Sequence, residues 1–136
     1  MDAEVARVRE PDELGPVECW HLLRTVEVGR LAVAIRNRPD IFPVNYVVDA
    51  ETILINTAPG TKLAAAVLGR AVAFEADVLD TVERSAWSVV VKGTADELTS
   101  LDDLIEVEAL DIESWSPTEK RRFLRITPES ITGRRL

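Results

Sequence analysis

Hydrophobic and polar residues alternate along much of this chain with the period of two that indicates β-strands. Between Ala71 and Val78 the even positions are apolar, whereas Glu75 and Asp77 lie on the opposite face. Trp87–Ala95 is the longest β-branched stretch, and its apolar residues lie on both faces, as in a buried strand. Further strands are predicted at 31–35, 41–48, 53–55, 122–126 and 130–134, with turns at 38–40, 49–51 and 127–129.

Three short helices are predicted to interrupt the strands. The first begins at Pro16, carries an apolar stripe at helical spacing, and is expected to end at Gly29. The second, Thr61–Leu68, is rich in alanine and is bounded by glycines. The third, Leu101–Leu110, follows Ser100, which is a good N-cap residue, and is acidic on its outer face.

This pattern predicts a mainly β (α+β) fold, a six-stranded antiparallel β-barrel with a few short helices. Closure into a barrel removes exposed sheet edges, and no long helices separate the strands as they would in a parallel sheet. Residues 1–136 are expected to form a single domain, in which residues 1–13 are a loose N-terminal arm.

Composition narrows the classes of function. The formal net charge of −8 lacks the basic footprint of a nucleic-acid-binding protein. Cys19 is the single cysteine, so an intrachain disulfide is excluded, and neither a signal sequence nor a membrane-spanning run is visible. We expect a cytoplasmic protein that binds neither membrane nor nucleic acid. No ligand partners stand at metal-binding spacing from His21, the only histidine, and no metal site is expected.

The segment from Asn56 to Leu63 is the most informative for chemistry. A strand ends there, a Pro-Gly turn follows, and a helix begins with Thr61 and Lys62. Free N–H groups at a helix start, hydroxyl groups and a lysine charge together form a phosphate site. The alternative is that Thr61 caps the helix and Lys62 is a solvated charge.

A proline interrupts the predicted strand 41–48. Because proline lacks an N–H group, Pro43 should lie at a sheet edge or a bulge. A flat aromatic ring could bind there through backbone groups that no neighbouring strand uses. The alternative is an edge strand that proline protects from aggregation.

Five segments in order resemble the pyridoxamine 5'-phosphate oxidase-like family. They are Val28–Val33, Pro43–Tyr46, Thr57–Leu63, Trp87–Gly93 and Ile126–Arg135, and the last is similar to short actinobacterial-type members. The resemblance implies the FMN-binding split barrel, a homodimer that holds a flavin in each of two clefts between its subunits.

The resemblance also implies which residues bind the cofactor. The isoalloxazine ring would lie beside Phe42, Pro43, Val44, Asn45 and Tyr46. Asn56 and Thr57 would approach the ribityl and phosphate end, Thr61 and Lys62 the phosphate, and Ser88 the polar edge of the flavin. Trp115, on a predicted loop, would either close the cleft or pack under its own loop.

By resemblance, the function is that of an FMN-dependent oxidoreductase that acts on a small molecule, with no catalytic side chain required because the cofactor supplies the chemistry. The alternative is a non-catalytic carrier or sensor that binds a flavin or a deazaflavin coenzyme. Pyridoxamine phosphate oxidase activity itself is not expected, because Arg134 and Arg135 do not match the basic substrate-binding segment of the longer enzymes.

Overall fold

A computed structural model describes residues 12–57, 62–109 and 122–136. Antiparallel strands dominate these residues, as the alternating pattern predicts. In chain order the elements are β1 (Asp12–Leu14), α1 (Pro16–Leu23), β2 (Val28–Ile35), β3 (Arg38–Asp49), β4 (Thr52–Thr57), α2 (Lys62–Val67), β5 (Ala71–Asp80), β6 (Ser85–Glu97), α3 (Leu101–Ala109) and β7 (Arg122–Arg135).

The strands form one sheet in the order β1-β7-β4-β3-β2-β5-β6, and an additional β6–β7 pairing closes six of them into the expected barrel. The described residues contain a seventh strand, β1, which pairs with the end of β7 from Asp12↔Arg135 to Leu14↔Gly133. The predicted loose arm is therefore wrong for residues 12 and 13. The segment escaped prediction because its order comes from backbone pairing, without an apolar pattern of its own.

The predicted turn at residues 38–40 is also wrong. Arg36 and Asn37 form the turn, both with positive φ (52° and 61°), and pairing resumes at Ile35↔Arg38. Two left-handed residues suit the twist of a tight hairpin, and asparagine tolerates that conformation well. Pro39 instead lies inside β3, opposite Ala34. The predicted turn at 49–51 is confirmed, since Asp49 pairs with Thr52.

The first helix ends earlier than predicted. It runs from Pro16 to Leu23, and Gly29 belongs to β2 rather than to the helix end. A Cβ atom on Gly29 would lie 2.4 Å from the Phe74 ring, so the glycine permits close packing across the barrel. The apolar face of α1 covers the barrel with three buried residues, Cys19, Trp20 and Leu23.

The two predicted C-terminal strands are one strand, β7, with a bulge. Lys92 pairs with Ser130 but Gly93 pairs with Pro128, so Glu129 is the extra residue. A Cβ atom on Gly93 would lie 2.1 Å from the Thr127 carbonyl oxygen. A bulge increases strand twist and bends the strand, which lets β7 pair with β6 along its whole length.

The two later helices lie close to their predicted positions. Within the described residues, α2 ends at Val67 and α3 ends at Ala109, and Gly69 follows α2 with a φ of 69°. The Ser100 hydroxyl accepts a hydrogen bond of 3.1 Å from the Asp103 N–H, which confirms the predicted N-cap. In the described ranges, no helix has the length and apolar character needed to cross a membrane.

Candidate functional site

The candidate site lies where β3 and β4 separate. Along one side, β3 pairs with β2 from Arg38 to Asn45; along the other, its described pairing with β4 begins only at Asn45↔Asn56. Pro43 is exposed in this open stretch, as expected for a proline at a local sheet edge. The geometry leaves backbone of β3 on the side that the described part of β4 does not cover.

Asn56 is the polar group that stands out at this position. It lies in β4 between Asn45 on β3 and Phe123 on β7, and the side chains of cross-strand partners share a face. The Asn56 Nδ2 atom is buried and donates no hydrogen bond within the described structure. Burying an unsatisfied amide costs about 1–3 kcal/mol, so the group is suited to a ligand acceptor.

Strand alternation divides the predicted ring-binding residues between two faces. Val44 and Tyr46 are buried inside the barrel, and Phe42 packs against the same core. The Tyr46 hydroxyl donates a 2.6 Å hydrogen bond to the Leu23 carbonyl, and burial raises the pKa of Tyr46. Pro43 and Asn45 occupy the alternate face. A flavin at this strand would meet only the backbone of the inward-facing residues.

The predicted phosphate end is described in part. Thr57, the last residue of β4, pairs with Arg122, whose guanidinium forms a bidentate ion pair with Glu97. The hydrogen bond from Arg122 is the main cause that lowers the pKa of Glu97. Lys62 begins α2. Thr61, Trp115 and the side chain of Lys62 lie outside what the structure describes.

Ser88 is not adjacent to the other predicted residues within one chain. It lies on β6, separated from β3 by β2 and β5. With neighbouring strands about 4.8 Å apart, Ser88 is roughly 14 Å from the Pro43–Asn45 face. One copy of the chain brings together Pro43, Asn45 and Asn56, but not Ser88.

A charged cluster on the outside of the barrel was not predicted as part of a site. Arg30 on β2 pairs with two carboxylates on β5, Glu75 at 3.2 Å and Asp77 at 3.3 Å. Burial is the main cause that raises the pKa of Glu75 to about 7, and its hydrogen bond to Asp77 and that neighbour's negative charge add to the effect. The alternation of Glu75 and Asp77 was visible in the sequence, but Arg30 becomes their neighbour only through the β2–β5 register.

A six-stranded antiparallel barrel with an open strand edge beside a polar pair defines the split-barrel class. The family model described as pyridoxamine 5'-phosphate oxidase matches residues 16–135. The chain therefore belongs to the pyridoxamine 5'-phosphate oxidase-like family, and the resemblance seen in the sequence is confirmed.

Similar proteins support the same assignment. The FAD binding protein from Mycobacterium smegmatis is 39% identical, with a TM-score of 0.83 over 92% of this chain and 99% of that one. An FAD-binding protein from Mesorhizobium loti is 25% identical, with a TM-score of 0.70 over 92% and 97% of the two chains. The uncharacterized protein Rv0080 of Mycobacterium tuberculosis is 34% identical over 133 residues, which cover 94% of this chain and 87% of the relative.

Proposed function

We propose that this protein binds a flavin nucleotide along the outward face of β3 and β4 and uses it to oxidise or reduce a small molecule. The observation that carries the proposal is the buried and unpaired Asn56 Nδ2, directly across from Asn45 and one residue before the end of β4. A flavin carries carbonyl, hydroxyl and phosphate oxygens that accept hydrogen bonds from such a donor.

The residues fit a flavin in two further respects. The uncovered side of β3 offers backbone groups to the polar edge of a flat ring, while its inward side chains keep that strand fixed to the core. Next along the chain, Lys62 would supply positive charge for a phosphate at the start of α2. When bound, the flavin supplies the hydride chemistry, and the protein contributes orientation and control of solvent access.

The proposal is made for a flavin nucleotide because FMN and FAD share the riboflavin phosphate that these residues would contact. The resemblance favours FMN, whereas the names of the M. smegmatis and M. loti relatives specify FAD. Acid release of the cofactor from purified protein, followed by chromatography against FMN, FAD and deazaflavin standards, distinguishes them. A protein that carries a deazaflavin alone would contradict the flavin assignment.

A homodimer is part of the proposal. Ser88 is too far from Asn45 and Asn56 to share a flavin with them in one copy of the chain. A second copy would bring another set of outward-facing residues to the cleft. The dimer therefore accounts for the separation of residues that the family resemblance assigns to one cofactor.

Asn56→Leu tests the site through two effects of opposite sign. Removing an unsatisfied buried amide should leave the stability of the cofactor-free protein unchanged or higher, whereas loss of the donor should weaken flavin binding roughly two- to tenfold. Calorimetric titration measures the affinity, and urea unfolding measures the stability.

Asn37→Gly is the control for Asn56→Leu, since glycine tolerates the φ of 61° at that distant turn. It should change neither quantity. Unchanged flavin affinity in Asn56→Leu would remove Asn56 from the site.

Turnover separates an enzyme from a carrier. Reduced nicotinamide should bleach the flavin absorbance of the loaded protein, and a small electron acceptor should restore it repeatedly. A loaded protein that no donor reduces would instead be the carrier or sensor.

A further inference from the structure

The outward side chains of β5, β6 and β7 form regular rows across the barrel. Leu79 pairs with Ala86, whose carbonyl accepts a 2.8 Å hydrogen bond from the N–H of Leu136. Asp77 pairs with Ser88, and Ser88 with Arg134. A third row contains Glu75, Val90 and Thr132. We call these three rows the β5–β7 face.

The β5–β7 face combines exposed apolar side chains with unbalanced charges. Leu79 is 74% exposed and Leu136 70% exposed, although both are large aliphatic residues. On β5, Arg30 alone neutralises both Glu75 and Asp77. On β7, Arg134 forms no ion pair with any described residue, and it lines a concave region of about 310 Å³ with Ser88, Val90 and Thr132.

We propose that a second copy of this chain docks on the β5–β7 face about a two-fold axis that runs along β6. Such an axis exchanges β5 with β7 within each row, as an isologous interface requires. Asp77 then meets the partner's Arg134, and Leu79 meets the partner's Leu136. The projecting residues of β5 enter the concave region beside β7.

Self-complementarity identifies the occupant as a second copy. Within a row, the acid on β5 has its base on β7, and the exposed leucine on β5 has an exposed leucine on β7. An unrelated partner would not require this matching. The inference rests on the dimer in the proposed function and adds the surface, the axis and the pairs of residues that meet.

Charge reversal and exchange test the interface in the full chain by sedimentation. Wild-type protein should be a dimer at micromolar concentration. Asp77→Arg and Arg134→Asp should each weaken the dimer at least about tenfold, because each puts like charges together at the interface. The double variant Asp77→Arg/Arg134→Asp should restore it, since the pair is exchanged.

A neighbouring arginine offers a matched control. Arg134→Gln should weaken the dimer, whereas Arg135→Gln should not, because Arg135 pairs with Glu18 at 2.8 Å beside α1. Circular dichroism checks that each variant is folded. A monomeric wild type, or a folded double variant that stays as weak as the single variants, would overturn the proposed interface.

Flavin content measured on the same samples separates the two proposals. A dimer with the expected charge exchange but without flavin binding would contradict the proposed function and leave the interface standing. A monomer that binds flavin would contradict the interface and leave the flavin site standing.

Discussion

Single residues in this barrel act mainly through the face on which alternation puts them. Tyr46 is the clearest case, because its ring contacts Phe74 edge-on at 4.7 Å and its hydroxyl fixes α1 to the core. Its neighbour Asn45 lies on the opposite face, across from Asn56. In the proposed site, the same strand both stabilises the core and binds the cofactor, so substitutions in β3 are expected to differ sharply from one residue to the next.

Glu75 should make stability depend on pH. Its pKa is raised in the folded state to about 7, above the value of about 4.3 in an unfolded chain, so the folded protein holds this proton more tightly. The resulting stabilisation is complete below about pH 4 and is lost as pH rises through about 7. Glu75→Gln should flatten the pH dependence of urea unfolding in this range. Glu106→Gln on the exposed side of α3 is the control, and an equal slope in wild type and Glu75→Gln would refute the assignment.

Lys62 should distinguish ligands with and without a phosphate. Lys62→Ala is expected to weaken FMN binding about ten- to a hundredfold, because a charge-assisted hydrogen bond contributes about 1.5–3 kcal/mol. Riboflavin, which lacks the phosphate, should bind almost unchanged. Fluorescence titration with both ligands checks this, with Glu106→Ala as a variant that should leave both affinities unchanged. Equal loss of both ligands would point to a disturbed cleft rather than a lost phosphate contact.

At the scale of elements, the sequence identified most strands but not every boundary. Alternation located β5 and β6, and the turn at residues 49–51 was correct because two-residue connections leave a clear break in the pattern. Pro39 misled the interpretation because proline can also occupy a strand whose N–H side is free. The bulge at Glu129 looked like a break because its consequence, continuous pairing with β6, depends on a distant strand.

Gly93 should be essential to that bulge. Gly93→Ala brings a Cβ atom to 2.1 Å from the backbone oxygen of Thr127, so the two strands must separate. Overpacking of this kind costs about 1–3 kcal/mol, which urea unfolding resolves. Gly15→Ala is the matched control, because its Cβ atom would have no neighbour within 4 Å. Equal stability of the two variants would mean that the bulge adapts to a side chain.

At the scale of the whole molecule, the sequence predicted the barrel and the family but not how the site residues come together. Pro43, Asn45 and Asn56 meet through the register of β3 and β4, and Ser88 is separated from them by two strands. Register and strand order depend on contacts between distant parts of the chain, which local patterns do not encode. The rows of the β5–β7 face became visible for the same reason only in the folded barrel.

Equilibrium binding of flavin to the purified, cofactor-free protein tests the central claim most directly. The account predicts saturable binding of FMN or FAD with one flavin per chain, followed by quenching of flavin fluorescence, and weaker binding of the nucleotide to Asn56→Leu. Absence of saturable binding by a folded protein for FMN and FAD alike would contradict it.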